Sequence, residues 1–341
     1  MKFALGYQLA ELDAEPFSEI VGDYVNNIAE VYFPWVDIPT CRASLSDQRG
    51  YVDWSVQRRL EDDLEKIKKL GVKLDILFNA NCYGGEAVSL HLANKIISVI
   101  DYLGERLGGV EIATTTSPAI AHVIKKNFED MEVRASVNMR IGTVKGMEYV
   151  SHLFDSFHIQ RDYNRDFKTI RTLKKWADKN NKKLIMLANS GCMRFCSGQI
   201  FHDNMVAHER EIDEMANIPK WTPHVCWNFL KDKKNWTSIL QNTWVRPEDI
   251  HNYEPYFDVI KLATRMHAMP RMVVKAYVDR KYYGNLADLC EPGFGPALMP
   301  YAIDNTLFPE DWFKRTTECE KNCEECTYCA SVLEKVLKKM E

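Results

Sequence analysis

KKLIMLANSGCMRFCSGQIFHDN, residues 182–204, is the stretch on which the reading of this chain turns. An apolar run, KKLIMLAN, ends at a Gly, and Cys192 and Cys196 follow at once as C-x3-C. Strands of a parallel sheet are buried on both faces and read as short apolar runs bounded by turn residues. A strand that leads straight into closely spaced thiols suits a metal centre at a strand end, because thiolates are soft ligands for zinc and iron–sulfur clusters. His202, His208 and a third thiol, Cys226 in HVCW, come shortly after.

Runs of the same kind recur on either side: KFALGY (2–7), AEVYF (29–33), KLDILFNA (73–80), VEIATTT (110–116), EVRASVN (132–138), SFHIQ (156–160) and DVIKLAT (258–264). Helical spacing fills the intervals. Phe17, Ile20, Val21, Tyr24, Val25 and Ile28 mark one helix, and Val52, Val56, Leu60, Leu64, Ile67 and Leu70 another, closed by Gly71 at C′. Leu90, Leu92, Ile96, Ile97, Ile100 and Leu103 form the next, and Ser117–Pro118 supplies an N-cap with Pro at N1. Further helices are expected over 146–153, 166–180 and 270–282. Eight strands alternating with helices predict a (β/α)8 TIM-type barrel over residues 1–285. The competing open sheet lacks a G-x-G-x-x-G after its first strand. One connection, 190–257, is much longer than the others and carries Cys192, Cys196 and Cys226. Loops that follow barrel strands lie on the catalytic face, so these thiols are expected over the mouth.

The 341 residues are 46% hydrophobic and 27% charged, an ordinary globular composition. A net charge of -4 argues against general nucleic-acid binding. The start lacks the long apolar region and cleavage site of a signal peptide, and no run approaches a membrane span. Ten cysteines without a secretion signal point to metal binding in a reducing, cytoplasmic setting rather than to disulfides.

Residues 286–341 form a C-terminal extension, in which Cys319, Cys323, Cys326 and Cys329 are spaced C-x3-C-x2-C-x2-C ahead of a helix starting near Ala330. Four thiols so close in sequence suit one tetrahedral zinc or one 4Fe–4S cluster, and are expected to fold the tail as a separate site. Cys192, Cys196 and Cys226 supply three ligands of another site. Cys41, after the second strand, is the first candidate for the fourth, followed by Cys82 and then Cys290.

GCMRFCSGQIFHDN (191–204) and VRPEDIHNYEPYFDVIKLATR (245–265) resemble the collagenase-like peptidase family U32 over roughly residues 1–285. That resemblance implies a barrel and a cysteine-bound 4Fe–4S cluster. It also implies kinship with accessory proteins of oxygen-independent ubiquinone hydroxylation and with RNA-base hydroxylases, some linked to prephenate. Carried over by residue, Cys192, Cys196 and Cys226 match thiolate positions, and Cys41 lies near where some members place a ligand. The wider-spaced set of four cysteines familiar in the family is incomplete here.

Polar groups at strand ends complete the expected mouth: Asn79, Asn81, Thr115, Asn138, Arg161, Asn189 and Arg265. Arg161 and Arg265 lead as catalytic candidates, since a carboxylate or phosphate substrate calls for guanidinium contacts. The basic run 171–183 reads as a solvated helix face. The functional expectation is an oxygen-sensitive iron–sulfur enzyme of modification or hydroxylation type, with room for a partner subunit. The alternatives are a zinc-stabilised binding or scaffold protein and a collagenase-like peptidase. The chain contains no H-E-x-x-H or G-x-S-x-G, so a peptidase here would need a Cys–His pair.

Overall fold

The apolar runs become strands β1 (Lys2–Gly6), β2 (Ile28–Pro34), β3 (Lys73–Phe78), β4 (Ile112–Thr115), β5 (Glu132–Ala135), β6 (Ser156–His158), β7 (Lys183–Leu187) and β8 (Val259–Leu262). Each pairs in parallel with the next, and β8 returns to β1 in the register Lys2↔Val259, so the sheet closes into a barrel. This computed structural model describes residues 1–11, 13–41 and 53–340. The expected (β/α)8 architecture is the one found.

The helices are α1 (Phe17–Asp23), α2 (Trp54–Lys69), α3 (Leu90–Leu107), α4 (Pro118–Asn127), α5 (Val144–Val150) and α6 (Phe167–Lys179). After β7 come α7 (Gln199–Val206), α8 (Glu209–Asp213), α9 (Val225–Leu230) and α10 (Thr237–Leu240). The chain ends with α11 (Pro270–Asp279), α12 (Gly295–Leu298), β9 (Tyr301–Ile303), α13 (Trp312–Thr317), α14 (Tyr328–Val336) and β10 (Leu337–Lys339). Local chemistry sets the ends. Asp53 caps α2 by accepting from Ser55 N and Val56 N, and Gly71 follows the helix at φ +79°. Ser117 caps α4 with Pro118 behind it, and Asp166 caps α6. Val52 lies outside the described residues. The first helix stops at Asp23, earlier than its apolar spacing suggested, because Ile28 already opens β2.

Strand alternation splits the interior in two. Val31, Phe33, Leu74, Ile76 and Phe78 face outward and pack on Leu60, Leu64, Ile96 and Ile100 in the main apolar core. The inward positions are largely polar, which the apolar reading of the strands did not anticipate. Arg134 donates to both carboxylate oxygens of Glu30, to Glu132 at 2.8 Å and to Ser156 at 3.1 Å. Asp75, His158 and Lys261 are buried in the same lumen.

The extension also departs from expectation. Trp312, Val332 and Val336 are buried in the same core as the barrel helices, and β10 pairs antiparallel with β9. The tail therefore has apolar anchors of its own. Among the described residues no helix is long and apolar enough to cross a membrane.

Candidate functional site

Asn189, two residues past β7, fixes the course of the thiol loop. Its amide donates to Ala263 O and Leu289 O, each at 2.9 Å, and its Oδ1 accepts from Ala263 N. Expected as a substrate contact, it is a buried brace that ties β7 to β8 and to the 289–291 segment. Glu291 N donates to Asn189 O, and Gly191 N to Glu291 O. A Cβ on Gly191 would lie 2.0 Å from Pro292 O and 3.1 Å from Cys290 Cβ, so only glycine lets the two segments touch. That contact sets Cys290 beside Cys192.

The C-x3-C turn is pinned from the loop after β6. Arg194 Nε donates to Asp162 O at 3.0 Å, and Phe195 N donates to the Asp162 carboxylate. Phe195 adopts φ +50°, which doubles the chain back between Cys192 and Cys196. Farther on, a Cβ on Gly198 would meet the Val225 side chain at 2.7 Å, and this close approach draws Cys226 toward Cys196.

The result is one cavity of about 610 Å³ lined by Cys192, Cys196, Cys226 and Cys290, with Arg161, His202, His224, Trp227 and Met269 among its walls. Burial pushes the Cys226 thiol up, and the neighbouring Cys192 and Cys196 push it further. Burial holds Cys290 up at about 12, with the Arg165 charge pulling the other way and Cys192 adding to the rise. Thiols that raise one another in this way become thiolates together only when a cation joins them. Among the described residues no three thiol, imidazole or carboxylate groups converge tightly enough for a single metal ion. A cluster spreads its ligands wider, because each thiolate binds a different iron.

Cys41, the leading sequence candidate for the fourth ligand, does not line this cavity. Its sulfur accepts from Asn79 Nδ2 at 3.1 Å beyond the end of β3. Cys82 lines a separate depression with Thr40 and His208. Cys290, the third candidate, shares the cavity with the three. The Asn189 brace, through Leu289 O and Glu291 N, is what returns it to the thiol loop. Arg161 is buried and lines the cavity, whereas Arg265 lies elsewhere, with Nη2 donating to Thr40 Oγ1 at 3.4 Å. Thr115 is a local brace, accepting from Ser117 N. His202 and His224 stack edge to face at 4.9 Å beside the thiols.

The C-terminal quartet lies nearer this site than expected. Lys321 pairs with Asp166 at 3.3 Å, on the loop after β6. The Cys323 thiol is raised by burial and by Cys319, and Arg194 opposes the rise. Burial raises Cys329 to about 11, Arg165 opposes it, and the other three quartet thiols add to it. Arg165 thus acts on both Cys290 and Cys329. It is itself buried, stacked on Trp244 and bonded to Trp244 O and Leu240 O.

No protein-family profile matches the chain. An uncharacterized protease of Methanocaldococcus jannaschii is 27% identical over 284 residues, covering 80% of this chain and 79% of its own. The solved U32 peptidase Mk0906 superposes with a TM-score of 0.53 at 15% identity, over 77% of this chain and 93% of that one. The likeness to the solved structure supports the (β/α)8 fold. The cysteine-lined cavity occupies the end of the barrel where the loops after β6, β7 and β8 meet.

Proposed function

We propose that this chain is a U32-type protein and an oxygen-sensitive iron–sulfur enzyme of modification or hydroxylation type, working at the barrel mouth in a reducing, cytoplasmic setting. The observation that carries the reading is the meeting of Cys192, Cys196, Cys226 and Cys290 in one cavity. They supply four soft donors, none in a disulfide. When bound, a 4Fe–4S cluster supplies one-electron chemistry at the mouth.

The chain's own residues do the rest. Trp227, Met269 and Met272 give the cavity an apolar wall beside the thiols. Arg161 offers a guanidinium to an anionic substrate group. Gly191 and Gly198 hold the thiol-bearing segments in contact. Cys319, Cys323, Cys326 and Cys329 would be drawn together as ligands of a second site on binding zinc or a further cluster. A partner subunit would find exposed aromatic surface in the same long loop, where Phe201 and Trp221 meet edge to face.

A collagenase-like peptidase is the second reading. The relatives carry protease names, and His202 and His224 stand beside the thiols, as a Cys–His nucleophile would require. Anaerobic purification with iron, sulfide and zinc analysis separates these readings. The first expects iron and sulfide and a visible band that bleaches on reduction. Zinc alone supports the scaffold alternative, and metal-free protein that cleaves peptides supports the peptidase. Changing Cys326 and Cys329 to Ser is expected to remove one metal equivalent and to spare the band from the mouth.

A further inference from the structure

Arg161 is a charge without a counter-ion. It is only 4% exposed, yet its guanidinium makes no hydrogen bond, ion pair or ring contact among the described residues. A buried guanidinium is ordinarily paired, because one left alone forfeits the hydration it had in water. This one lines the cysteine cavity. The chain next to it is pinned to the thiol turn, since the Asp162 carboxylate accepts from Phe195 N and Asp162 O accepts from Arg194 Nε at 3.0 Å.

Gln199, 5% exposed and also in the cavity wall, is the second unsatisfied group. Its Nε2 donates to Asp203 Oδ2 at 3.3 Å, which leaves Oε1 as an acceptor with no partner. Gln199 N donates to Cys196 O at 3.1 Å, so the cation and the free acceptor both stand on the C-x3-C side of the cavity. A carboxylate and a hydrogen-bond donor carried on one carbon would meet both.

The rest of the wall narrows the ligand further. Among the described residues it carries four carboxylates, on Asp203, Glu209, Asp288 and Glu291, against one guanidinium and no lysine. A ligand of net negative charge meets a wall of its own sign, whereas one with an ammonium beside its carboxylate does not. Met193, Met266, Met269 and Met272 supply adaptable apolar surface, and Trp227 a rigid one. Met266 and Met269 are more than half exposed, so the cavity opens to solvent there. Its 610 Å³ suits a small molecule.

We propose that the cavity binds a free α-amino acid with an apolar side chain. The carboxylate pairs with Arg161, the ammonium donates to Gln199 Oε1 and faces the acidic wall, and the side chain lies on the methionines and Trp227. This deepens the reading of the cavity as the working site and rests on it.

The test is isothermal titration calorimetry on the full chain, purified anaerobically, with L-methionine and L-phenylalanine as probes. The wild type is expected to bind at least one of them. N-acetylation, which removes the ammonium, and replacement by the parent amine, which lacks the carboxylate, should each weaken that binding about tenfold or more. Arg161→Met should do the same while the unliganded protein keeps its melting temperature, because no contact of the folded state is lost. Arg161→Lys should recover part of the binding, and Gln199→Leu should weaken it several-fold. Failure of the wild type to bind either amino acid, equal binding of the N-acetyl form, or wild-type affinity in Arg161→Met overturns the proposal. Iron analysis of the same sample keeps the two readings apart: iron-loaded protein that binds neither amino acid defeats this inference and leaves the cluster standing.

Discussion

Gly191 and Cys290 lie back to back: a Cβ on the first would stand 3.1 Å from the Cβ of the second. The same Cβ would meet Pro292 O at 2.0 Å, and a backbone oxygen braced on both sides cannot yield cheaply. Gly191→Ala is therefore expected to cost about 1–3 kcal/mol of stability, the usual range for overpacking. It should also lower iron incorporation, because it parts Cys290 from Cys192. Thermal melts and metal analysis check both effects. An alanine variant with unchanged iron content would show that this contact does not set the thiol geometry.

Arg134 holds Glu30, Glu132 and Asp75 inside the barrel, and Arg134 and Glu30 are both almost wholly buried. Arg134→Met leaves buried carboxylates without their cation, and a broken buried pair of this kind costs about 3–5 kcal/mol. Denaturant unfolding measures it. A loss typical of an exposed pair, under about 1 kcal/mol, would contradict the burial argument.

Two carboxylates give the folded state opposite pH slopes. Burial works to raise Glu132, but Arg134, Lys183 and Ser156 outweigh it and hold the group at about 2, against an ordinary 4.5. The unfolded chain binds that proton more readily, so this stability is complete above about pH 4.5 and drains away as pH falls toward 2. Burial holds Asp75 up at about 6 despite Arg134, so its folded form keeps the proton and stability falls as pH rises from 3.8 through 6. Glu132→Gln should flatten the acid limb of the stability profile, and Asp75→Asn the limb above it. Melts across the acid range, with both variants retaining the parent profile, would refute the assignment.

Arg165 ties the extension to the barrel. It stacks on Trp244, lies 5.3 Å from the Trp312 ring, and donates to Trp244 O and Leu240 O. Arg165→Leu leaves buried carbonyls unpaired, at about 1–3 kcal/mol each. Hydrogen exchange should speed up over α13 and α14 while the barrel strands stay protected. Uniform loss of protection would mean that the tail and barrel unfold as one unit.

The barrel was legible because each strand is a bounded apolar run and each helix repeats with its own period. Ser117, Asp166 and Gly71 even marked helix ends where they fall. The polar lumen was not legible in the same way. Glu30, Asp75, Arg134 and Lys261 each stand among apolar neighbours in a strand, and run-based reading treats them as interruptions. Alternation would have found them, since each is one step out of phase with the outward apolar face. Cys192, Cys196 and Cys226 are near in sequence, so their grouping was readable. Cys290 was not, because its place depends on Asn189 Nδ2 reaching Leu289 O. The apolar anchors of the tail, Trp312 and Val336, were overshadowed by the thiols between them.

The most direct test of the account counts iron and sulfide in Cys290→Ser and Cys41→Ser, each purified anaerobically with Cys326 and Cys329 already changed to Ser. In that background any cluster counted belongs to the mouth. The account predicts that Cys290→Ser loses iron, sulfide and the visible band, while Cys41→Ser keeps all three. Loss in Cys41→Ser with retention in Cys290→Ser would contradict it and make Cys41 the fourth ligand.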